Sequence, residues 1–261
     1  ADVEGEADAP ASPIRVLLVD DDDNSPDLLP YFEAAMLDLG LTYAVWDTNG
    51  GNGNGPHVVT MQAADLVLWW SGDDFGGPIA FDEVMLADYL DQGGKLLLSS
   101  QDYIYDMGIT PFSADYLGVS PALNGSDAGD PPLIGLADDW ISDAYPAPPY
   151  NFQAVGMSEF PDDLAPEPHA IETFHNGGRV TGIGVLRVET ADYRTLFFGT
   201  PFEPLFADIN SGIEILGRCI HWLAFGECDQ VDDDGDGFSE CDGDCDDAEP
   251  TVYPAAPEVC D

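Results

Sequence analysis

Four short apolar runs constrain this chain more than any other feature. Ile14-Arg-Val-Leu-Leu-Val19 ends in Asp20-Asp-Asp-Asp23, and Thr42–Trp46 ends at Asp47. Leu66–Trp70 is followed by Gly72, and Lys95–Ser99 by more polar residues. The first run, short and continuous, is what a strand buried on both faces requires, and the other three also read as strands. Between them the period changes. Leu28, Phe32, Met36 and Leu39 recur at helical spacing, opened by Ser25-Pro26 and ended by Gly40. Phe81–Gln92 reads as a second helix, closed by Gly93-Gly94. The order β-α-β-loop-β-α-β predicts an α/β fold: a mostly parallel sheet with helices on both faces.

The rest of the chain is less regular. Asn49–Pro56 is a Gly/Asn loop, and residues 121–170 are rich in Pro and Asp, an irregular excursion with short strands. Ile183–Glu189 and Tyr193–Phe198 are expected strands joined by Thr190-Ala-Asp192, and Gly212–Phe225 an apolar closing helix. Residues 1–13 lack period and read as an acidic, disordered leader. They resemble a mature N-terminus left by cleavage, which places the protein outside the cell. The expected division is leader 1–13, α/β domain 14–225 and a small tail 226–261. No apolar run reaches the roughly 18 residues of a membrane span.

Charge narrows the partners. Asp and Glu number 51 against 6 Lys and Arg, a formal charge of −45. Such a surface repels nucleic acid and anionic membranes and attracts divalent cations. A solvated acidic surface accounts for many of these carboxylates, but not for the Asp that alternate with Gly near the C-terminus.

In Asp232-Asp-Asp234-Gly-Asp236-Gly237-Phe238, Asp stands at loop positions 1, 3 and 5 and Gly at 6. Alternate residues of a tight loop point inward, so Asp232, Asp234 and Asp236 converge on one cation while the Gly permits the turn. Phe238 offers a backbone carbonyl, and Asp244 and Asp247 are expected to complete the shell. Position 12 is Gly243, so this is no EF-hand. Oxygen ligands in this number favour Ca2+ over Mg2+, which demands stricter octahedral geometry. All five Cys lie at or after Cys219. Four of them, Cys228, Cys241, Cys245 and Cys260, sit in a segment too polar to build a core, where disulfides substitute for burial. Three pairings exist; Cys228–Cys241 with Cys245–Cys260 is favoured because each closes a short loop. A zinc site competes poorly, since the neighbouring groups are hard oxygens and the tail holds no His. Cys219 falls in the apolar helix and is expected to be a buried free thiol.

The tail, from Asp232–Gly237 through Gly243–Asp247 to Val252–Asp261, resembles the MopE-type metal-binding motif of secreted bacterial proteins, and its Asp spacing is similar to thrombospondin type 3 repeats. The resemblance implies a following repeat, lost or cut away beyond Asp261. Copper, for which that family is named, prefers His, Cys or Met, and only His221 lies nearby. The α/β part resembles glutamine-amidotransferase-like domains of secreted bacterial proteins. The segments that carry this are Val19-Asp-Asp-Asp22, Tyr43-Ala-Val-Trp-Asp47, Leu98-Ser-Ser-Gln-Asp102 and Phe197-Phe-Gly-Thr-Pro-Phe-Glu203. It implies a flavodoxin/amidotransferase-like sheet.

Catalytic members of that broad fold carry a Cys nucleophile and a His partner. Here no Cys precedes residue 219, and Ser99 or Ser100 occupies the corresponding turn. A Ser100 hydrolase would need His57, His169, His175 or His221 as base; the plainer reading has Ser100 and Gln101 capping the next turn. A phospho-accepting receiver would need a Lys on a late strand, but Lys95, the only Lys, precedes its strand. Asp20–Asp23 with Asp73 and Asp102 could form a second cation site at the sheet's carboxyl edge. The expectation is therefore a non-catalytic, secreted, calcium-binding structural or interaction module, self-associating or bound to other extracellular proteins. The alternative is a Ser-dependent hydrolase or amidotransferase-like enzyme.

Overall fold

The computed structural model describes residues 14–48, 53–74, 77–120, 132–177 and 182–227. The tail expected to bind calcium and all four of its cysteines lie outside them, as does the leader. The chain divides into two units, Ala1–Ala224 and Phe225–Asp261, and of the second only residues 225–227 are among those described.

The four apolar runs form β1 (Arg15–Asp20), β2 (Thr42–Asp47), β3 (Leu66–Trp70) and β4 (Lys95–Ser99). Later strands are β5 (Leu133–Gly135), β6 (Ala170–Asn176), β7 (Ile183–Glu189) and β8 (Arg194–Phe198). Together they make one eight-stranded mixed sheet in the order β2-β1-β3-β4-β8-β7-β6-β5. The five strands from β2 to β8 pair in parallel, and β8, β7, β6 and β5 pair antiparallel.

Strand residues alternate between two cores. Val16, Leu18, Leu66, Leu68, Trp70 and Leu97 face one; Leu17, Val19, Val67, Trp69, Leu96 and Leu98 face the other. The first core receives helices α1 (Leu29–Asp38), α6 (Phe152–Val155) and α7 (Ile209–Phe225). The second receives α2 (Val58–Met61), α3 (Ala80–Leu90), α4 (Tyr103–Met107) and α5 (Pro111–Asp115). Helices thus cover both faces, and a doubly covered sheet explains why its central strands contain no polar alternation. Among the described residues no helix is long and apolar enough to cross a membrane.

Among the differences from expectation, two helix starts and one strand stand out. Helix α1 begins at Leu29, not at Ser25-Pro26; Pro30 supplies its first-turn proline, while Asp22 Oδ2 accepts the Leu28 amide at 2.8 Å and holds the preceding segment as a loop. Helix α7 begins four residues before Ile213, where Asp208 Oδ1 accepts the Ser211 amide at 3.0 Å. Gly212 lies inside that helix, and its lack of a side chain fits the close approach of Phe206, whose ring would stand 2.7 Å from a Cβ there. Strand β6 went unread. Its pairing with β7 shifts register around Glu172, Phe174 and His175, which breaks the two-residue period. Gly40, by contrast, ends α1 as expected, with φ +67.

The described cations are all engaged. Arg15 pairs with Asp65 (2.7 Å), Arg187 with Asp139 (3.3 Å), Arg194 with Glu189 (2.7 Å) and Arg218 with Asp143 (2.8 Å). Lys95 Nζ donates to the Ala224 carbonyl at 2.9 Å. Cys219 is fully buried and free, as expected, and burial pushes its thiol pKa well up.

Candidate functional site

The strand order reverses between β1 and β3, since the chain leaves β1 toward β2 and β3 toward β4. Parallel α/β sheets bind ligands at the carboxyl edge beside such a switch. In this chain that edge is acidic and buried. Asp20, Asp21 and Asp22 end β1; Ser71, Gly72 and Asp73 follow β3; Ser100, Gln101 and Asp102 follow β4; Glu203 follows β8.

Asp21 and Asp22 are fixed by donors from the sheet. Asp21 Oδ1 accepts from Thr48 Oγ1 (2.7 Å), and its Oδ2 from Trp69 Nε1 (3.0 Å). Asp22 Oδ1 accepts the Asn24 amide at 2.8 Å, and its Oδ2 accepts Leu28 N and Trp70 Nε1 at 2.8 and 3.2 Å. The indole of Trp70 is itself held by stacking on Phe32, 4.1 Å between ring centres, so core packing aims the donor at the edge. Gly72, at φ +53, leaves room for this arrangement: a Cβ there would lie 2.8 Å from the Asp22 Cβ.

Asp20 differs from its neighbours. It is 3% exposed, and its Oδ1 has no hydrogen-bond partner. One carboxylate oxygen from each of Asp20, Asp22 and Asp27 lies within 4.8 Å of the other two. Burial first, then the charge of Asp22, pushes the Asp20 pKa up to about 8. Burial likewise takes Asp21 up to about 7 and Asp102 up to about 6. Glu203 is fully buried; its Oε2 accepts from Ser99 Oγ at 2.5 Å, its Oε1 has no partner, and burial raises it to about 7. Carboxyls this close and this dry hold protons or a cation.

The cation site expected from Asp20–Asp23, Asp73 and Asp102 is therefore redrawn. Asp20 and Asp22 do converge, but their third partner is Asp27. Asp73 accepts from Gln101 Nε2 (3.0 Å) and from the Ser158 amide. Asp23 is exposed. Asp27 was missed because Ser25-Pro26 read as a helix start, which would have carried it into the helix's first turn. Glu203 was noticed only as part of a resembling segment.

Ser100 is also not where a cap would be. Its Oγ accepts from Ser71 Oγ at 2.7 Å and reaches the Gly77 carbonyl at 3.5 Å. Gln101 bonds Gly72, Asp73 and the Phe160 amide. Among the described residues, the partners of Ser100 Oγ are Ser71 and Gly77 and not an imidazole. His57 and His169 are exposed, His175 meets Glu172 at 2.9 Å, and His221 lies against Trp140. Lys95 sits at the amino end of β4, opposite the acidic edge, which removes the geometry of a receiver domain. Asp232, Asp234, Asp236, Phe238, Asp244 and Asp247 lie outside the described residues.

No family model matches the chain, and no curated protein matches it by sequence. Among solved structures it is similar to the mmIFT52 N-terminal domain, with TM-score 0.54 and 13% identity over 82% of this chain and 99% of that one. It is also similar to a protein described as ThuA-like from Parabacteroides merdae ATCC 43184, with TM-score 0.50 and 12% identity over 84% of this chain and 92% of that one. At such identities the likeness is one of fold alone.

Proposed function

We propose that this chain is a secreted, non-catalytic calcium-binding module that acts in structure or interaction, built from a flavodoxin/amidotransferase-like domain and a disulfide-braced calcium-loop tail. One observation carries the reading. At the edge where such a fold houses its chemistry, Ser100 is buried and spends its hydroxyl on Ser71 and Gly77, while the groups that crowd the edge are carboxylates. A nucleophile needs a base within reach; this serine has a second serine instead. The Asp232/Asp234/Asp236 spacing, with the Phe238 carbonyl and Asp244 or Asp247, supports calcium in the tail.

Calorimetric titration with Ca2+ tests it. The full chain is expected to lose one binding event on Asp234→Ala. Equal binding by the two proteins would remove the tail from the calcium reading.

A further inference from the structure

The sequence singles out the tail for calcium, but the α/β domain carries its own opportunity. We propose that Asp20, Asp22 and Asp27 form a second cation site, selective for a hard divalent ion of calcium's size. The site is independent of the tail.

Ca2+ takes oxygen ligands at about 2.3–2.6 Å, so two of its ligands stand at most about 4.6–5.2 Å apart. A carboxylate oxygen from each of the three Asp lies within 4.8 Å of the others, so one ion can touch all three. Mg2+, at about 2.0–2.1 Å, demands near-ideal octahedral geometry and gives up its waters reluctantly, which suits three carboxylates on a strand end and its loop less well.

A group of acids alone would not make a site, and here a second feature points to a ligand. Asp20 is 3% exposed, and its Oδ1 meets no donor. A buried carboxylate oxygen without a partner has given up the hydrogen bonds of water and gained none in return. The described Lys and Arg side chains are all engaged with other groups, so none of them supplies the missing charge. A cation between Asp20 and Asp27 would.

The rest of the site suits that role. Asp22 is locked by the Asn24 and Leu28 amides and the Trp70 indole, so it needs no reordering to bind. Asp27 is exposed, which gives an ion from solvent its entry. Waters and loop carbonyls can complete six to eight ligands.

Trp70 provides the test. Its Nε1 stands 3.2 Å from Asp22 Oδ2, so an ion bound there lies beside an indole. Tb3+, a luminescent ion of calcium's size, is titrated into the full chain carrying Asp232→Asn, Asp234→Asn and Asp236→Asn, with tryptophan excitation. Saturable sensitised emission displaced by Ca2+ is expected. Adding Asp27→Asn, an exposed change that spares the core, should weaken Tb3+ binding by about tenfold or more. Asp20→Asn should do the same, with folding checked by thermal unfolding. No saturable emission in the tail-substituted chain, or emission unaltered by both further substitutions, would overturn the proposal. Because the tail is already disabled, failure here leaves the tail reading standing, and failure of the tail reading leaves this site standing.

Discussion

Glu203 shows how much a single buried carboxyl can reveal. It sits without solvent contact; one oxygen accepts from Ser99 Oγ and the other has no hydrogen-bond partner. Burial raises its pKa from 4.5 to about 7. Between those values the folded chain holds a proton that the unfolded chain releases, so stability falls as pH rises through that window. Asp21 and Asp102 are raised as well and act with the same sign. Urea unfolding in chelator at pH 5 and pH 7 should show this loss, and Glu203→Gln should make it smaller. An equally steep fall in the variant would contradict the assignment. None of this was legible in the sequence, where Glu203 is one of 51 acids. Its burial depends on the turn after β8, and its partner Ser99 comes from β4.

At the scale of elements, the end of α7 explains where the scarce cations went. The last carbonyls of a helix have no partner within it. Lys95 donates to the Ala224 carbonyl, and Arg194 Nη1 reaches the Leu223 and Ala224 carbonyls at 3.3 and 3.5 Å. Two positive charges at the negative end of the helix also favour its dipole. Lys95→Met, which keeps the apolar stem, should lower the unfolding free energy by about 1–2 kcal/mol. Arg15→Met breaks only an exposed, solvent-screened pair with Asp65 and should cost clearly less. Equal losses in urea unfolding would refute the capping role. The central strands were readable because both faces of each are buried, so every position had to be apolar. β6 was not, because its register shifts put Thr173 and Phe174 in the core in succession and left no period to see.

For the whole molecule, charge governs association. A formal charge of −45 keeps copies apart, and bound cations would lower that barrier locally. The module reading therefore predicts that light scattering will find larger particles in saturating Ca2+ and their dispersal by chelator. A chain that stays monomeric at high concentration with Ca2+ would rule out calcium-supported self-association. The sequence by itself determined the α/β class, the positions of β1, β3 and β4, and the free buried thiol Cys219. These follow from local runs and periods, which folding physics reads over a few residues at a time. It also placed acids at the end of β1. Only the tertiary structure decided which of them meet. The loop after β1 returns Asp27 to Asp20 and Asp22, Trp70 crosses from β3 to hold Asp22, and β8 delivers Glu203 to the same edge. Such meetings depend on the strand order and on where loops turn back, and no local pattern encodes either.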